Sequence, residues 1–481
     1  MSNEKQKEKK STNHNKSSKC SKNKKKSSKN GILISFIFLA LIFISLGTVY
    51  LLKDKNSNTP KVEETTTKKV VIKDFVGTND TTFTAQLNKY FTYGTNLCID
   101  GSLNTTISDT DKVSIVLKQA YTFEDGSINE NDVFEFPLII TSISNNSTFT
   151  SYENINTGIN LEQITTGEYC LLLKIVSGNR VTYGNISTSL DNEGLTYYSL
   201  TKDGKNNKID LSLQAHDETN YIALNCTEAT LPDDVYDIVL DPGHGGNDPG
   251  AVNGDYNEAT LMLEYAKDIK TALEAKGYKV LLTRDGTESP DTWMAYTMYD
   301  PDGRVNVACA SQAKIALSLH LNSNEIALTK GGIQTYFSCR ANQAFAQTLV
   351  DSIVSSSNTY YSPMSAYKVD NGIYSRAFSE GDIAQSQSSA ISDGFTPYEI
   401  TPNTDYYFMI RELGGVATDA YVDGRNPEYG SNLYRDSKNG IEACIVELGF
   451  ISVSEDLNHI LNNKDKYVEG IVNGILANIN K

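Results

Sequence analysis

From residue 235 onwards, short apolar runs alternate with longer stretches whose apolar residues recur every three to four positions. Ile238-Val239-Leu240 and Ile315–Leu321 have the length and composition of buried strands. In the longer stretch 258–276, one helical stripe contains Leu261, Tyr265, Ile269 and Leu273. Asn257 is placed to cap that helix. Such alternation predicts an α/β domain over residues 235–481, with a mostly parallel sheet and helices on both faces.

The segment Ile32–Leu52 contains 21 residues without a charge. As a helix it would be about 31 Å long, close to the thickness of a bilayer core. The Lys-rich residues 1–31 precede it, so the positive-inside rule predicts a cytoplasmic N-terminus and an extracellular remainder. An uncleaved transmembrane anchor is favoured over a cleaved signal peptide, because the run is long and no A-x-A-like site follows it.

Two further regions lie between this segment and the α/β domain. Residues 53–69 are Lys, Asn, Thr and Glu with one Pro, which predicts a solvated linker. Residues 70–230 contain short β-rich runs separated by Gly, Asn and Asp clusters, which predicts a sandwich-like all-β module. Because this module contains no catalytic cluster, we expect it to act as a spacer or a binding module.

Charge is distributed unevenly along the chain. The formal net charge is −16, although residues 1–30 contain 11 Lys against two Glu. The remainder is therefore strongly acidic and would repel phosphate groups. This distribution argues against nucleic acid as the main partner.

Four distant side chains are the candidates for chemistry. His244 follows the first strand of the α/β domain, Glu258 begins the next helix, and His320 and Glu447 end later strands. The carboxyl ends of parallel strands meet at one edge of a sheet, where ligands bind. Two neutral imidazoles and one carboxylate suit a zinc site with an open position for water. His244, Glu258 and His320 fit that ligand set, and Glu447 fits the general base that must move the water's proton.

Each candidate also has a structural interpretation. A lone His at the end of a strand is usually a packing residue, and Glu258 alone would be a helix N-terminal charge. The glycine-rich segment 241–250 would alternatively bind a phosphate. However, Asp248 occupies the position of the third glycine in a G-x-G-x-x-G loop, where it would oppose a pyrophosphate. The spacing therefore favours a metal.

Three blocks of sequence resemble the zinc-dependent N-acetylmuramoyl-L-alanine amidases of the Amidase_3 family, in that family's order. They are Ile238–Arg284 with DPGHGGNDPGA, Ser318–Asn322, and Val446–Ile451. The resemblance implies that His244, Glu258 and His320 are the zinc ligands and that Glu447 is the catalytic acid/base. It further implies the single α/β domain of that family. The implied substrate is peptidoglycan, cut between the muramic lactyl group and L-alanine.

The sequence departs from the family pattern in two places. Leu321 replaces the small residue that often follows the ligand His, and is expected to narrow the floor of the site. Residues 355–440 form a long insertion, interpreted first as a structural cover, with a wall of the glycan groove or a lid over the site as alternatives. Within it, Tyr407–Arg411 resembles the strand-and-arginine segment that often precedes the glutamate strand.

Together these features predict a membrane-anchored bacterial cell-wall amidase that uses Zn2+. One alternative is an anchored wall-binding protein with an inactive amidase fold. Another is a zinc peptidase that cuts stem peptides instead of the sugar–peptide link.

Overall fold

The computed structural model describes residues 70–71, 81–123, 128–188, 194–216, 219–289, 302–324, 330–392, 394, 400–420 and 436–479. They belong to one compact unit, residues 69–481. The predicted tail, anchor and linker, residues 1–31, 32–52 and 53–69, lie outside the described residues. No helix among the residues described has the length and apolar character needed to cross a membrane.

The first region of the unit is β-rich. Its strands are β1 (Val70–Val71), β2 (Thr81–Tyr93), β3 (Asn96–Leu103), β4 (Lys112–Phe123), β5 (Ile128–Pro137), β6 (Ile139–Ser142), β7 (Ser147–Thr150), β8 (Ile159–Asn160), β9 (Gly167–Ser177), β10 (Arg180–Thr188), β11 (Leu195–Tyr198), β12 (Asn206–His216) and β13 (Thr219–Ala229). They surround a hydrophobic core of their own that includes Ile99, Leu173 and Leu224. The β-rich character that the sequence predicts is present. Hydrogen bonds join the described strands into one network instead of the two separate sheets of a sandwich.

The second region contains a seven-stranded sheet in the order β17-β14-β18-β23-β19-β21-β20. The strands of this region are β14 (Ile238–Pro242), β15 (Val252–Asn253), β16 (Tyr256–Asn257), β17 (Val280–Leu282), β18 (Ile315–Asn322), β19 (Gln334–Phe337), β20 (Lys368–Asp370), β21 (Ile373–Tyr374), β22 (Asn439–Gly440) and β23 (Glu442–Phe450). The four strands β17, β14, β18 and β23 pair in parallel, whereas β19 pairs antiparallel with β23.

Helices cover both faces of this sheet. They are α1 (Glu258–Glu274), α2 (Arg304–Ala310), α3 (Ala344–Ser357), α4 (Glu380–Ser392), α5 (Phe408–Leu413), α6 (Ser454–Asn462) and α7 (Lys464–Ile479). Because side chains alternate along a strand, Ile238 and Leu240 pack in the core with α1, α3 and α7. Val239 between them packs on the other face, with α2 and α5. The predicted mixed α/β fold is confirmed.

The segment 355–440, which the sequence pattern left without elements, contributes β20, β21, β22, α4 and α5 within its described part. The strand expected at Tyr407–Arg411 is wrong, because Phe408–Leu413 is helical. A run as short as Phe408-Met409-Ile410 fits a buried strand and a buried helix equally well.

The β-rich region packs against the amino ends of the parallel strands. Strand β22 directly precedes β23 and pairs with β2, so that Thr92 is opposite Asn439 and Tyr93 opposite Gly440. Phe91 and Tyr93 belong to the same hydrophobic core as α1, α3 and α7. The carboxyl ends of β14, β18 and β23 therefore lie at the edge away from the β-rich region.

Candidate metal centre and active site

The loop after β14 brings His244 to the carboxyl edge of the sheet. His244 and Gly245 have φ values of 58° and 122°, a backbone conformation that costs energy for the non-glycine residue. Gly243 has no room for a side chain, because a Cβ there would lie 2.3 Å from His320 Cε1. The glycines of this loop thus allow the two imidazoles to approach each other, with ring centroids 5.1 Å apart.

The three predicted ligands meet at one point. His244 Nε2 lies 3.1 Å from Glu258 Oε2, and His320 Nδ1 lies 2.9 Å from Glu258 Oε1. One possible ligand atom from each residue lies within 4.8 Å of the others. Two imidazoles and one carboxylate at this separation fit a divalent ion such as zinc.

Glu258 is held in place by the start of α1. Asn257 caps the helix as predicted, accepting a hydrogen bond from the Thr260 amide. The Glu258 carboxylate also accepts hydrogen bonds from the amides of Ala251 and Leu321. Burial alone would raise the pKa of Glu258, but hydrogen bonds and charge interactions with the two histidines hold that pKa well below its usual range. Glu258 is thus an anion, as a metal ligand must be.

Asp248 supports His244 from the other side of its ring. Its Oδ2 lies 2.9 Å from His244 Nδ1, which directs the opposite nitrogen towards Glu258. Burial lowers the pKa of His244, but Glu258 and Asp248 outweigh it and raise the pKa to about 9 in the metal-free protein. Sequence reasoning used Asp248 only to argue against a phosphate loop. Its spacing of four residues from His244 was the available signal for a second role.

Two buried groups behind the loop were also missed by the sequence analysis. Arg304 donates to the His244 carbonyl oxygen at 2.6 Å and pairs with Asp241. Asp241 in turn accepts hydrogen bonds from Thr283 and Ser318. This network fixes the backbone of the histidine loop to three strands of the sheet.

Glu447, the candidate general base, lies next to the candidate ligand His320. Parallel pairing of β18 with β23 sets His320 directly opposite Glu447. Glu447 Oε2 is buried and has no hydrogen-bond partner among the described residues. Burial is the main cause that raises the pKa of Glu447 to about 7, with the charge of Glu258 adding to it and the histidines opposing it. A carboxyl with a pKa near neutrality and an unused oxygen suits a group that takes up and releases a proton.

The expectation that Leu321 narrows the floor of the site is wrong. Leu321 is buried in the core that contains α1, α3 and α7. Alternation along β18 turns its side chain to the face opposite that of His320. Only its backbone contributes to the site, through the amide bonded to Glu258.

The geometry also bears on the phosphate alternative. Asp248 and Glu258 both contact His244, so two carboxylates occupy the loop where a phosphate would bind. These anions would repel a phosphate but attract a cation.

Comparison with known proteins gives a consistent result for part of the chain. Residues 238–396 match the sequence profile Amidase_3, described as N-acetylmuramoyl-L-alanine amidase. The match includes the first part of the segment interpreted as an insertion and stops before Glu447.

Several curated relatives share this stretch. The N-acetylmuramoyl-L-alanine amidase LytC of Bacillus subtilis is 33% identical over 116 residues, 24% of this chain and 21% of LytC. A germination-specific N-acetylmuramoyl-L-alanine amidase of the same organism is 31% identical over 122 residues, 24% of this chain and 52% of the relative. The chain thus spans between about a fifth and a half of these two relatives.

Among solved structures, an N-acetylmuramoyl-L-alanine amidase from Clostridium difficile 630 is 21% identical, with a TM-score of 0.32. The alignment covers 52% of this chain and 99% of that one. The stretch of sequence that supplies His244, Glu258 and His320 matches the Amidase_3 family of N-acetylmuramoyl-L-alanine amidases.

Proposed function

We propose that this protein is a zinc-dependent N-acetylmuramoyl-L-alanine amidase that hydrolyses the amide between the muramic lactyl group and L-alanine in peptidoglycan. The observation that carries the proposal is the meeting of His244, Glu258 and His320 beside Glu447. Three ligands would leave a position open for water and substrate. The match of residues 238–396 to the amidase family supports the same reaction.

The four residues would have two roles in the reaction, metal binding and proton transfer. His244, Glu258 and His320 would hold the ion, which when bound supplies a Lewis acid that activates water and polarises a carbonyl. Glu447 takes a proton from the attacking water while the water oxygen forms a bond to the lactyl carbonyl carbon. Glu447 then gives this proton to the alanine nitrogen as the carbon–nitrogen bond breaks. The products are a lactyl carboxylic acid and a free alanine amine.

We further propose that residues 32–52 anchor the protein in the cell membrane with residues 53–481 outside. The uncharged run and the Lys-rich residues before it support this arrangement. It would place the enzyme on the side of the membrane where peptidoglycan lies.

The function is tested by digesting intact cell wall with the purified full-length chain, with and without a chelator. We expect soluble fragments with new alanine amino termini, lost with chelator and restored by zinc. New amino termini at other residues would instead establish the stem-peptidase alternative. No release of fragments by a zinc-loaded protein would support the inactive wall-binding alternative.

The ligand set is tested separately by metal content. His320→Ala should reduce bound zinc well below one equivalent, measured by atomic absorption after dialysis. His459→Ala is a matched control, because His459 lies on α6 and contacts Tyr467 instead of the site. Full zinc content in the His320 variant would contradict the assignment.

A further inference from the structure

We propose that Arg376 binds a carboxylate of the stem peptide and so determines which form of the substrate is cleaved. This inference rests on the proposed amidase function and extends it to a residue in the segment 355–440.

Arg376 is held in a fixed position between aromatic rings. Its guanidinium carbon lies 3.4 Å from the centroid of the Tyr406 ring and 4.6 Å from that of Tyr367. One terminal nitrogen is 3.1 Å from Asp382 Oδ1. Stacking of this kind covers the faces of a guanidinium and leaves its edge for hydrogen bonds.

One donor of the guanidinium has no acceptor among the residues that the structure describes. Its Nε is buried without a hydrogen-bond partner among the described residues. The side chain as a whole is 18% exposed, so solvent or a ligand can reach it. A half-buried, oriented guanidinium with an unpaired nitrogen is suited to bind a planar anion through two parallel hydrogen bonds, and carboxylate has that shape.

A row of side chains connects Arg376 with the catalytic glutamate. In the antiparallel pair of β19 and β23, Gln334 is opposite Glu447 and Tyr336 is opposite Ile445, so Tyr336 is the diagonal neighbour of Glu447. Such neighbours have Cα atoms about 7–8 Å apart. The Tyr336 ring contacts that of Tyr407, with centroids 4.9 Å apart. The Tyr407 ring packs edge-on against that of Tyr406, with centroids 5.4 Å apart, and the Tyr406 ring stacks on Arg376. Three tyrosine rings therefore connect Arg376 to the face of the sheet that carries Glu447.

The backbone near Arg376 supports a functional role. Tyr367, which packs on Arg376, has a φ of 62° and is 48% exposed. A tyrosine in this conformation is uncommon and costs energy, and such residues cluster at ligand sites. Its carbonyl oxygen accepts a hydrogen bond from the Ser375 amide, which fixes the loop next to Arg376.

The substrate offers the matching group. Beyond the L-alanine nitrogen, the next residue of a stem peptide is a D-glutamate whose α-carboxyl group is free in some walls and amidated in others. A carboxylate there is one residue away from the reacting amide, on the leaving-group side. Arg376 would pair with the free acid and lose that pairing with the neutral amide.

The test uses two soluble fragments that differ only in this group, N-acetylmuramoyl-L-alanyl-D-glutamate and N-acetylmuramoyl-L-alanyl-D-isoglutamine. We expect the zinc-loaded full-length chain to cleave the free acid with a kcat/KM on the order of 10- to 100-fold higher, the usual range for a charged hydrogen bond. Arg376→Ala should remove the preference by raising KM for the acid much more than KM for the amidated fragment. Arg376→Lys should restore part of it.

Asp382→Asn separates recognition from a merely structural role. This variant loses the ion pair with Arg376 but keeps the guanidinium, so it should retain the preference for the acid. If Arg376→Ala lowered kcat/KM equally for both fragments, and Asp382→Asn did the same, Arg376 would only hold α4 in place. A wild-type protein that cleaves both fragments equally would also overturn the inference.

The proposed function and this inference fail in different ways. If the wild type cleaves neither fragment nor intact wall, the amidase function fails. Calorimetric binding of the two fragments to Glu447→Gln, with and without Arg376→Ala, then still decides whether Arg376 selects the carboxylate. Equal affinities for both fragments would overturn it.

Discussion

Charged side chains lie at both edges of the α/β sheet, but the carboxylates at the two edges differ in their hydrogen bonding. At the amino edge, Asp237 accepts hydrogen bonds from the amides of Thr201 and Lys279, and Glu162 accepts from Leu200. At the carboxyl edge, Glu447 Oε2 has no partner among the described residues. The two carboxylates at the amino edge thus have hydrogen-bond partners, whereas one carboxylate oxygen at the carboxyl edge has none among the described residues.

The amino edge is where the β-rich region docks. Glu162 and Thr201 come from that region, and Asp237 and Lys314 directly precede β14 and β18. Burial lowers the pKa of Lys314 to about 8, although Glu162 and Asp237 partly offset it. Buried polar groups that satisfy each other fix a docking geometry without much net stabilisation. Carboxylates with full sets of hydrogen bonds thus indicate a structural cluster, whereas a buried carboxyl oxygen without a partner indicates a group available for chemistry.

The largest expected effect is a loss of turnover, and it tests the difference between the two edges with two glutamates of the same strand, β23. Glu447→Gln should lower turnover of peptidoglycan by about 10³-fold or more, because an amide cannot carry the proton. Glu442→Gln is the matched control, since Glu442 begins the same strand at the amino edge and accepts a hydrogen bond from Asn156. We expect it to stay within about threefold of wild type, as for a residue that makes no contact with the reacting atoms. Similar losses in both variants, measured by release of wall fragments, would remove the distinction between the edges.

A second prediction concerns the docking itself. Tyr93 is fully buried in the core of the α/β region although it belongs to β2. Tyr93→Ala should therefore cost about 3–5 kcal/mol of unfolding free energy, as for other large buried aromatics. In calorimetry, both regions should unfold together in one transition at a lower temperature.

Tyr93→Phe provides the control for that variant. The Tyr93 hydroxyl is buried with no hydrogen-bond partner among the described residues, so removing it alone should be neutral or slightly stabilising. Two separate transitions in the wild type would show that the regions fold independently.

The third prediction concerns the carboxylate behind His244. Asp248→Asn keeps the shape of the side chain but weakens its hold on the imidazole, so zinc affinity should fall about 10- to 100-fold. Competition with a chromophoric chelator measures this change. Asp255→Asn, in the exposed turn between β15 and β16, should leave affinity unaltered. Unchanged affinity in the Asp248 variant would reduce that residue to a loop-stabilising role.

The convergence of the four candidate residues was predictable because each lies at a recognisable place in the pattern. His244, His320 and Glu447 follow apolar runs of strand length, and Glu258 follows a capping Asn. The carboxyl ends of parallel strands lie at the same edge of the sheet, whatever the length or sequence of the loops that connect them. The partners Asp241 and Arg304 were missed, because a buried salt bridge between distant residues leaves no periodic signal.

The fold was less predictable where contacts are long-range. Strand β22 has only two residues, yet it joins the β-rich network by pairing with β2 more than 340 positions earlier. No local pattern marks such a pairing. Helix α5 was expected as a strand for a related reason. Its short apolar run is buried between two hydrophobic clusters, and these long-range contacts, not the local pattern, determine its secondary structure.

The smallest expected effect is a change in the pH dependence of the unfolding free energy, caused by Glu447. The pKa of Glu447 is about 7 in the folded, metal-free protein and close to 4.3 when unfolded, so ionisation opposes folding. Stability is therefore lost as pH rises from about 4.3 to about 7, and the penalty is complete above that range.

Glu447→Gln removes this penalty. At pH 8 with chelator present, the variant should be more stable than wild type by about 1–2 kcal/mol, after allowance for partial exposure of the side chain. Near pH 4 the two proteins should unfold alike, because the wild-type carboxyl is then largely protonated in both states. Zinc should shrink the difference at pH 8, since a nearby cation favours the ionised carboxylate. Urea unfolding at both pH values measures this, and a variant less stable than wild type at pH 8 would mean that Glu447 is satisfied in the protein and not held ready for proton transfer.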